Sequence, residues 1–305
     1  MENKLKLSVI IVNYNSGNYA LDCIHSLQKQ QGIDFEIIVV DNASQDNSVS
    51  LLKEQLGNHI QLIESPENLG FGRANNLAVS QAGGEYLLLL NPDTVISEPD
   101  ALKTLVHVLE TSPQAGLLGP AIEEPRKYKR VLPRYRYPSS SHLKYTTKFN
   151  QLPGKIAWLL GACLLIKCSF YHEIGGFDPD YFLYGEDADI GLKVRLAGYE
   201  VAYCEAVKIT HVAGVSEAGS NMLDKWLRKK RGLFLFCAKH FDKRDAIHLA
   251  NMSVIKSYVY LSFLLLGNML KNKDDLAYQD KKNRLLATIT AAREMKQNLL
   301  ASTSS

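Results

Sequence analysis

The chain has 305 residues, of which 46% are hydrophobic and 22% are charged, a composition that predicts a globular protein with one large core, or one core and a smaller appendage. Its formal net charge is only +3, so binding to nucleic acid through bulk charge is not expected. The five cysteines form no CxxC pair, which fits reduced thiols in the cytoplasm. The N-terminal stretch lacks a signal-peptide pattern, and no export is expected.

The first 120 residues alternate short apolar runs with amphipathic segments. Strands are predicted at residues 7–12, 35–40, 60–64 and 86–90. Helices are predicted at residues 20–29, 48–56 and 73–82. Because the runs are apolar throughout, they are typical of strands buried on both faces of a parallel sheet that helices cover. In such sheets ligands bind beyond the carboxyl ends of the strands, so functional residues are expected directly after each run.

Polar, compact residues follow each of these four predicted strands. They are Asn13-Tyr14-Asn15, Asp41-Asn42-Ala43-Ser44, Asn68-Leu69-Gly70-Phe71-Gly72 and Asn91-Pro92-Asp93. Turn and helix-cap preferences explain any one of these ends, but four ends in register favour a binding site. The extended backbone that Pro92 imposes places Asn91 and Asp93 on the same side. One carboxylate together with phosphate oxygens and water is sufficient to bind Mg²⁺.

Six segments in chain order carry a resemblance to a known family. They are VIIVNYNS, VVDNASQDNS, ENLGFGRANN, LLLLNPD, WLLGACLLIK and FLYGEDADIGLKVRLAGY. Together they resemble the GT-A glycosyltransferases of family 2, most of all the bacterial rhamnosyltransferase-type enzymes with an NPD motif. The resemblance implies an α/β fold, with a Rossmann-like, mostly parallel sheet flanked by helices. It implies a catalytic domain over residues 1–240, with a donor half to about residue 120 and an acceptor half after it, and a helical extension over residues 241–305.

The same resemblance assigns the donor side. The residues that it places at the nucleotide sugar are Asn13, Tyr14, Asn15, Asp41, Asn68, Arg73 and Asn91. Asp41 would accept the imide N–H of a pyrimidine base, and Asp93 would bind a Mg²⁺ or Mn²⁺ ion that bridges the diphosphate. His211, which follows a short β-like run at residues 207–210, would complete the metal shell. A lone histidine after a strand is also often structural, and Arg73 also fits an ordinary solvated helix residue.

An acidic pair, Glu186-Asp187, begins a predicted helix that continues to Ala197. A helix start by itself explains such charge. The resemblance assigns Asp187 as the catalytic base and Glu186 as the alternative base or as a residue that positions the acceptor. An ordinary aspartate is ionised at neutral pH, so a base needs no large shift of its pKa. Upstream, Gly161-Ala162 interrupts the strand-like run over residues 158–167 and would let a sugar approach the backbone.

The stretch from Pro120 to Gly154 has no clean period and interleaves cations with tyrosines. The residues are Arg126, Lys127, Tyr128, Lys129, Arg130, Arg134, Tyr135, Arg136 and Tyr137. Such a pattern suits a sugar-phosphate acceptor, because cations pair with phosphate and rings stack on sugars. A solvated loop is the alternative, and a partly ordered acceptor loop is the favoured prediction.

The C-terminal third is predicted to be helical at residues 223–239, 252–270 and 280–300. Residues 252–270 are marginal for a bilayer span, so a buried or interfacial helix is favoured. Basic residues between Lys225 and Arg231 would suit an anionic membrane surface, and packing in a homodimer is the competing explanation.

The favoured function is an inverting, metal-dependent glycosyltransferase in the cytoplasm, either free or at the inner face of the cell membrane. It would move rhamnose or another hexose from a dTDP- or UDP-sugar to a hydroxyl of a cell-surface glycan or lipid-linked acceptor. A sugar-nucleotide nucleotidyltransferase is an alternative, but it requires a Gly-rich basic loop where this chain has Asn13-Tyr14-Asn15-Ser16. A non-catalytic partner that binds a nucleotide sugar is the third possibility.

Overall fold

The computed structural model describes residues 6–127, 129–138, 147–214, 221–267 and 275–301. The chain divides into two compact units. The first unit comprises Met1–Tyr137, Leu152–Phe182 and Glu186–Ser216, and the second comprises Pro138–Gln151, Leu183–Gly185 and Glu217–Ser305. The domain boundary near residue 240 stays a prediction.

A nine-stranded sheet forms the centre of the first unit. Its strands are β1 (Leu7–Asn13), β2 (Phe35–Asp41), β3 (Gln61–Glu64), β4 (Tyr86–Leu90), β5 (Thr94–Val95), β6 (Ala115–Glu124), β7 (Lys129–Val131), β8 (Cys163–Lys167) and β9 (Glu200–His211). The order is β3-β2-β1-β4-β8-β6-β9-β5, and β7 pairs with β6. The four predicted strands are β1 to β4, and they pair in parallel. Their carboxyl ends therefore meet at one edge, as the sequence predicts.

Helices cover both faces of this sheet. They are α1 (Asn18–Leu27), α2 (Ser48–Leu56), α3 (Phe71–Val79), α4 (Ala101–Glu110), α5 (Cys168–Glu173) and α6 (Glu186–Leu196). Successive residues of β1 point to opposite faces: Val9 packs in the core with α1 and α4, whereas Ile10 packs in the core with α3 and α6. Every residue of β1 and β4 is buried, which explains why these strands are apolar throughout.

Some local predictions differ from the structure. The helix predicted from Arg73 begins at Phe71, directly after Gly70. Gly70 has a φ of +81°, and a Cβ there would lie 2.3 Å from the Phe182 carbonyl oxygen, so only glycine fits. The strand-like run at residues 158–167 is a strand only from Cys163, where it pairs antiparallel with β4.

The second unit contains three long helices. They are α7 (Met222–His240), α8 (Lys243–Gly267) and α9 (Leu276–Ala301). The last three residues of the predicted helix 252–270 lie outside the described residues. The basic cluster of α7 is largely engaged within the unit: Arg231 forms a bidentate pair with Glu294 at 2.8 Å, and Lys229 and Lys230 lie over the Trp226 ring. These contacts within the unit occupy part of the cluster that the sequence offers to an anionic membrane surface.

Along α8, large apolar side chains are exposed. Phe263 and Leu266 are each 67% exposed, and Ile255 is 57% exposed. Within the described residues, Lys243–Leu266 is long and apolar enough to cross a membrane, by length and composition only.

Candidate functional site

The ends of β1 and β2 hold a buried amide–carboxylate pair. Asn13 and Asp41 lie opposite each other in the parallel ladder. The Asn13 Nδ2 donates to Asp41 Oδ1 at 2.7 Å, and the Ser44 backbone N–H donates to Asp41 Oδ2 at 3.0 Å. Each carboxylate oxygen keeps a further lone pair, so Asp41 can still accept a hydrogen bond from a ligand. The Asn13 Oδ1 is buried and has no hydrogen-bond partner among the described residues, which leaves a second acceptor at this edge.

Asn15 links the same two loops and has a left-handed backbone conformation, with a φ of +49°. Its N–H donates to Ser44 Oγ at 2.9 Å, and its Oδ1 accepts from the Gln45 N–H at 2.7 Å. The Asn15 side chain is thus used to shape the loop, while Tyr14 beside it is half-buried. The loop after β1 is pre-formed rather than dependent on a ligand.

The loop after β3 is joined to this edge through Asn42. The Asn42 Nδ2 donates to Asn68 Oδ1 at 3.0 Å, and the Asn42 Oδ1 accepts from the Leu69 N–H at 2.8 Å. The Nε of the exposed Arg73 donates to the Pro179 carbonyl at 2.6 Å, which directs this side chain toward the turn before α6. The contacts of Asn42 therefore hold Asn68 beside the end of β2, near the other residues of the predicted nucleotide site.

At the end of β4, two predicted residues approach the same imidazole nitrogen. His211 Nε2 lies 3.2 Å from Asp93 Oδ1 and 3.4 Å from Asn91 Nδ2. Asp93 and His211 are each 6% exposed. The pairing of Thr94 with His211 between β5 and β9 holds these residues together. On the other side of the ring, His211 Nδ1 lies 3.5 Å from the buried carboxylate of Glu124, which no sequence pattern indicated.

These residues fit a divalent cation that is only partly held by protein. Asp93 offers a carboxylate oxygen and His211 a ring nitrogen at one point, and Glu124 on the opposite nitrogen would fix the tautomer that leaves Nε2 free to bind. Among the described residues no group of three or more His, Cys, Asp and Glu could hold a metal ion. With these two residues as protein ligands, phosphate oxygens and water would complete the shell of such an ion, as they often do at Mg²⁺ and Mn²⁺ sites.

Asp187 lies at the first turn of α6. Its Oδ1 accepts from the Ala188 N–H at 2.9 Å. Burial raises the pKa of Asp187 to about 6, although hydrogen bonds from backbone N–H groups, including that of Gly161, and the positive charge of Arg134 act in the opposite direction. A large shift is not needed for a base, and the raised pKa of Asp187 comes from a burial that was not visible in the sequence. A carboxylate with a pKa of about 6 is well suited to accept a proton near neutral pH.

The dipeptide Gly161-Ala162 joins the two halves of the site. The Ala162 carbonyl accepts from the Asn91 N–H at 2.9 Å. A Cβ on Gly161 would lie 3.4 Å from the Asp187 Cβ. This dipeptide therefore contacts the NPD motif through Ala162 and the candidate base through Gly161.

The arginines of the basic stretch after Pro120 contact different parts of the first unit. Arg126 donates to the Tyr19 hydroxyl at 2.7 Å, Arg130 pairs with Glu205 at 3.3 Å, and Arg134 lies over the Trp158 ring. Tyr128 lies outside the described residues. The stretch is not a single loop, because it includes the end of strand β6 and all of strand β7.

The sequence pattern of Glycosyl transferase family 2 matches residues 8–175, from β1 to α5. The chain belongs to this family. It is 28% identical over 235 residues to an N-acetylglucosaminyl-diphospho-decaprenol L-rhamnosyltransferase of Mycobacterium tuberculosis, which covers 67% of this chain and 75% of the relative. It is 27% identical over 225 residues to the rhamnosyltransferase WbbL of Escherichia coli, covering 67% and 83%.

A solved structure extends this likeness to the fold. The mannosyltransferase PcManGT from Pyrobaculum calidifontis, in complex with GDP-Man and Mn²⁺, superposes with a TM-score of 0.60 at 18% identity, covering 97% of this chain and 88% of that one. The predictions of the family, the GT-A fold and glycosyltransferase activity are confirmed. The roles of the individual site residues stay predictions.

Three further residues contact or act on these candidate site residues. Asn42 joins the loops of the nucleotide edge, Glu124 contacts His211, and Arg134 acts on Asp187. Asn42 lies in the polar segment after β2 and Arg134 in the basic stretch, both of which the sequence analysis singled out. Glu124 ends the apolar strand β6 and belongs to no motif.

Proposed function

We propose that this glycosyltransferase is an inverting, metal-dependent enzyme that uses a dTDP- or UDP-sugar. The sugar is rhamnose or another hexose, and the acceptor is a hydroxyl of a cell-surface glycan or a lipid-linked glycan. The observation that carries the proposal is the contact of Gly161-Ala162 with both Asn91 and Asp187. It supports the proposal because a proton acceptor at Asp187 would then lie beside the edge at which a nucleotide diphosphate would end, as a single displacement requires.

The reaction then follows from the chain's own groups. The acceptor oxygen attacks the anomeric carbon on the side opposite the diphosphate, and the bond from that carbon to the diphosphate oxygen breaks with its electron pair. Asp187 takes the hydroxyl proton as the new bond forms. One displacement inverts the anomeric configuration. A divalent ion held by Asp93 and His211 would neutralise the charge that develops on the leaving diphosphate.

The pyrimidine donor is supported by the Asp41 carboxylate at the end of β2. Its two oxygens are fixed by Asn13 and Ser44, so a base can meet it without rearranging the loops. An imide N–H pointing at a buried carboxylate forms a charge-assisted hydrogen bond, which gives both affinity and discrimination. The rhamnosyltransferase names of the two relatives support a deoxyhexose donor.

Thermal unfolding with nucleotide sugars tests the proposal directly. A cognate dTDP- or UDP-sugar with Mg²⁺ or Mn²⁺ is expected to raise the melting temperature, and chelation of the metal is expected to remove most of this shift, because a ligand bound to the folded state stabilises it. NMR of the product then reports the anomer. Stabilisation only by GDP-sugars, a retained anomer or an undiminished shift without metal would each contradict one part of the proposal. Release of pyrophosphate instead of a nucleoside diphosphate would indicate nucleotidyl transfer.

We further propose that the second unit contacts the inner face of the cell membrane through α8. The exposed Ile255, Phe263 and Leu266 support this location, since apolar and aromatic side chains on one helix insert into the headgroup boundary. Flotation with anionic vesicles is expected to carry the full chain, and Phe263→Ser with Leu266→Ser is expected to abolish it. Loss of a dimer in the same variant, without any vesicle binding by the wild type, would identify the surface as a homodimer contact.

A further inference from the structure

Three residues of α6 form one stripe that faces a single segment of the chain. Asp187, Gly191 and Arg195 follow one another at intervals of four residues, so they lie on the same face of the helix. Each of them contacts a different part of residues 152–161. The contacts come in reverse order along the chain, so this segment runs along α6 in the direction opposite to the helix.

At the start of the helix, the segment touches the candidate base. A Cβ on Gly161 would lie 3.4 Å from the Asp187 Cβ, and the Gly161 N–H hydrogen-bonds to the Asp187 carboxylate. One turn further, a Cβ on Gly191 would lie 2.8 Å from the Ala157 carbonyl oxygen and 2.9 Å from the Trp158 Cβ, so this approach requires a glycine. The position of the segment therefore affects the direction in which the Asp187 carboxylate is held.

At the end of the helix, Arg195 holds the other end of the segment. Its side chain is buried, and the residue is only 5% exposed. The Nε donates to the Pro153 carbonyl at 2.7 Å, and the Nη2 donates to the Leu152 and Gly154 carbonyls at 3.0 and 3.1 Å. A buried charge is costly unless it is hydrogen-bonded, and a planar guanidinium binds several acceptors at fixed angles. These contacts therefore fix residues 152–154 against α6.

Arg195 also binds the stretch that pairs with this segment. Its Nη1 donates to the Tyr137 hydroxyl at 3.1 Å, and its guanidinium carbon lies 5.6 Å from the centroid of the buried Tyr137 ring. Three residues before Tyr137, Arg134 forms an isolated antiparallel bridge with Trp158. The Trp158 Nε1 donates to the Arg136 carbonyl at 3.0 Å. One guanidinium thus joins α6 to both of the paired stretches.

We propose that Arg195 is a positioning residue for the transfer reaction: by holding residues 152–154 against the end of α6, it keeps Gly161 in the place from which it orients the Asp187 carboxylate. This role rests on the proposed function, in which Asp187 is the base. Arg195 lies about two helical turns after Asp187, so it takes no part in the proton transfer itself.

Arg195→Lys is the first test. Lysine keeps the positive charge but lacks the planar fork that binds the three carbonyls together. We expect kcat to fall about 10- to 100-fold, because a displacement of about 1 Å at a catalytic group has effects of this size. The affinity for the nucleoside diphosphate, measured by titration calorimetry, should stay nearly unchanged because the donor edge is untouched. Both measurements are made well below the melting temperature of the variant.

Two further variants test the same stripe with Arg195 in place. Gly191→Ala inserts a methyl group between α6 and the Ala157 carbonyl and is expected to lower kcat as Arg195→Lys does, although alanine is the better helix former. Tyr137→Phe removes only the hydroxyl that accepts from Arg195, so a smaller loss of kcat is expected. These variants decide the question if Arg195→Lys does not fold, and a normal kcat in both would overturn the proposal.

Gln30→Met is the matched control, because Gln30 is also a buried polar side chain that joins backbone groups. It is 8% exposed and connects the turn after α1 to the start of α4, through the Glu98 carbonyl at 2.8 Å and the Leu102 N–H at 3.1 Å. The control is expected to lower the melting temperature and to leave kcat nearly unchanged. Equal losses of kcat in Gln30→Met and Arg195→Lys would overturn the proposal, because general destabilisation would then be the cause. A normal kcat in Arg195→Lys would overturn it as well.

The fluorescence of Trp158 follows the segment without turnover. In a Trp226→Phe background, Trp158 is the remaining tryptophan. Arg195→Lys in this background is expected to make Trp158 more accessible to quenching by acrylamide, whereas Gln30→Met is not. A more accessible Trp158 together with a wild type that transfers no sugar would contradict the proposed function but not the hold of Arg195 on the segment. Transfer by the wild type, with both quenching and kcat unchanged in Arg195→Lys, would contradict the role of Arg195 alone.

Discussion

The donor edge and the acceptor side of this enzyme are built in different ways. At the donor edge, Asn13 and Asp41 end β1 and β2 and share a hydrogen bond, and Asn42 links the end of β2 to Asn68 in the loop after β3. On the acceptor side, Asp187 lies under Gly161 and beside Arg134, residues that are far apart in the chain. The donor edge is thus a frame of hydrogen-bonded polar groups in which the Asn13 Oδ1 still lacks a partner among the described residues, whereas the acceptor side keeps a carboxylate whose charged form is disfavoured by burial. The difference indicates that reactivity is concentrated on the acceptor side.

The largest expected effect comes from removing the proposed base. Asp187→Asn removes the proposed base and keeps nearly the same shape, so kcat is expected to fall about 10²- to 10⁴-fold, the usual contribution of general base catalysis. Donor affinity, measured by titration with the nucleoside diphosphate, should change little because the donor edge is untouched.

Glu186→Gln is the matched comparison, because Glu186 is the adjacent carboxyl in the same helical turn. It is expected to lower kcat much less than Asp187→Asn. If Glu186→Gln gives the larger loss, the two assignments must be exchanged. If Asp187→Asn transfers sugar at the normal rate, the base is another group.

At the donor edge, Asp93→Ala should act through the metal. It removes the carboxylate that lies 3.2 Å from His211 Nε2, so the metal-dependent part of donor binding is expected to fall about 10- to 100-fold. Calorimetry of Mn²⁺ with and without the nucleoside diphosphate measures this. Weak binding of Mn²⁺ alone is also expected from the wild type, since two protein ligands leave most of the shell to phosphate and water. Tight binding without nucleotide, or an Asp93→Ala variant with unchanged metal dependence, would contradict the assignment.

The contrast between the two sides also explains what the sequence could predict. The strands β1 to β4 and the residues after them were predicted because burial on two faces leaves an apolar run, and parallel strands end at one edge. Glu124 was missed because it meets His211 only through the parallel pairing of β6 with β9. The relation of Arg134 to Asp187 depends on an isolated bridge and on a close approach at Gly191, neither of which has a sequence period. The acidity of Asp187 depends on the burial that these contacts create.

The smallest expected effect concerns stability and follows from the pKa of Asp187. Its folded-state pKa is raised from 3.8 to about 6, so the carboxyl favours the folded state at low pH, and this contribution is lost as the pH rises through about 6. Asp187→Asn lacks that dependence. The free energy of unfolding of the variant minus that of the wild type is therefore expected to increase by about 1 kcal/mol between pH 4 and pH 8, a value reduced from the full shift because the side chain is half-buried.

Urea unfolding at several pH values measures this difference, and a constant offset from the backbone hydrogen bonds that asparagine accepts less well does not change its slope. Asp22→Asn, on the exposed side of α1, is the control for the loss of a surface carboxylate. A flat difference for Asp187→Asn would mean that Asp187 is solvated in the folded protein. The Asp187 carboxylate would then carry no burial penalty, and the electrostatic contrast between the acceptor side and the donor edge would not hold.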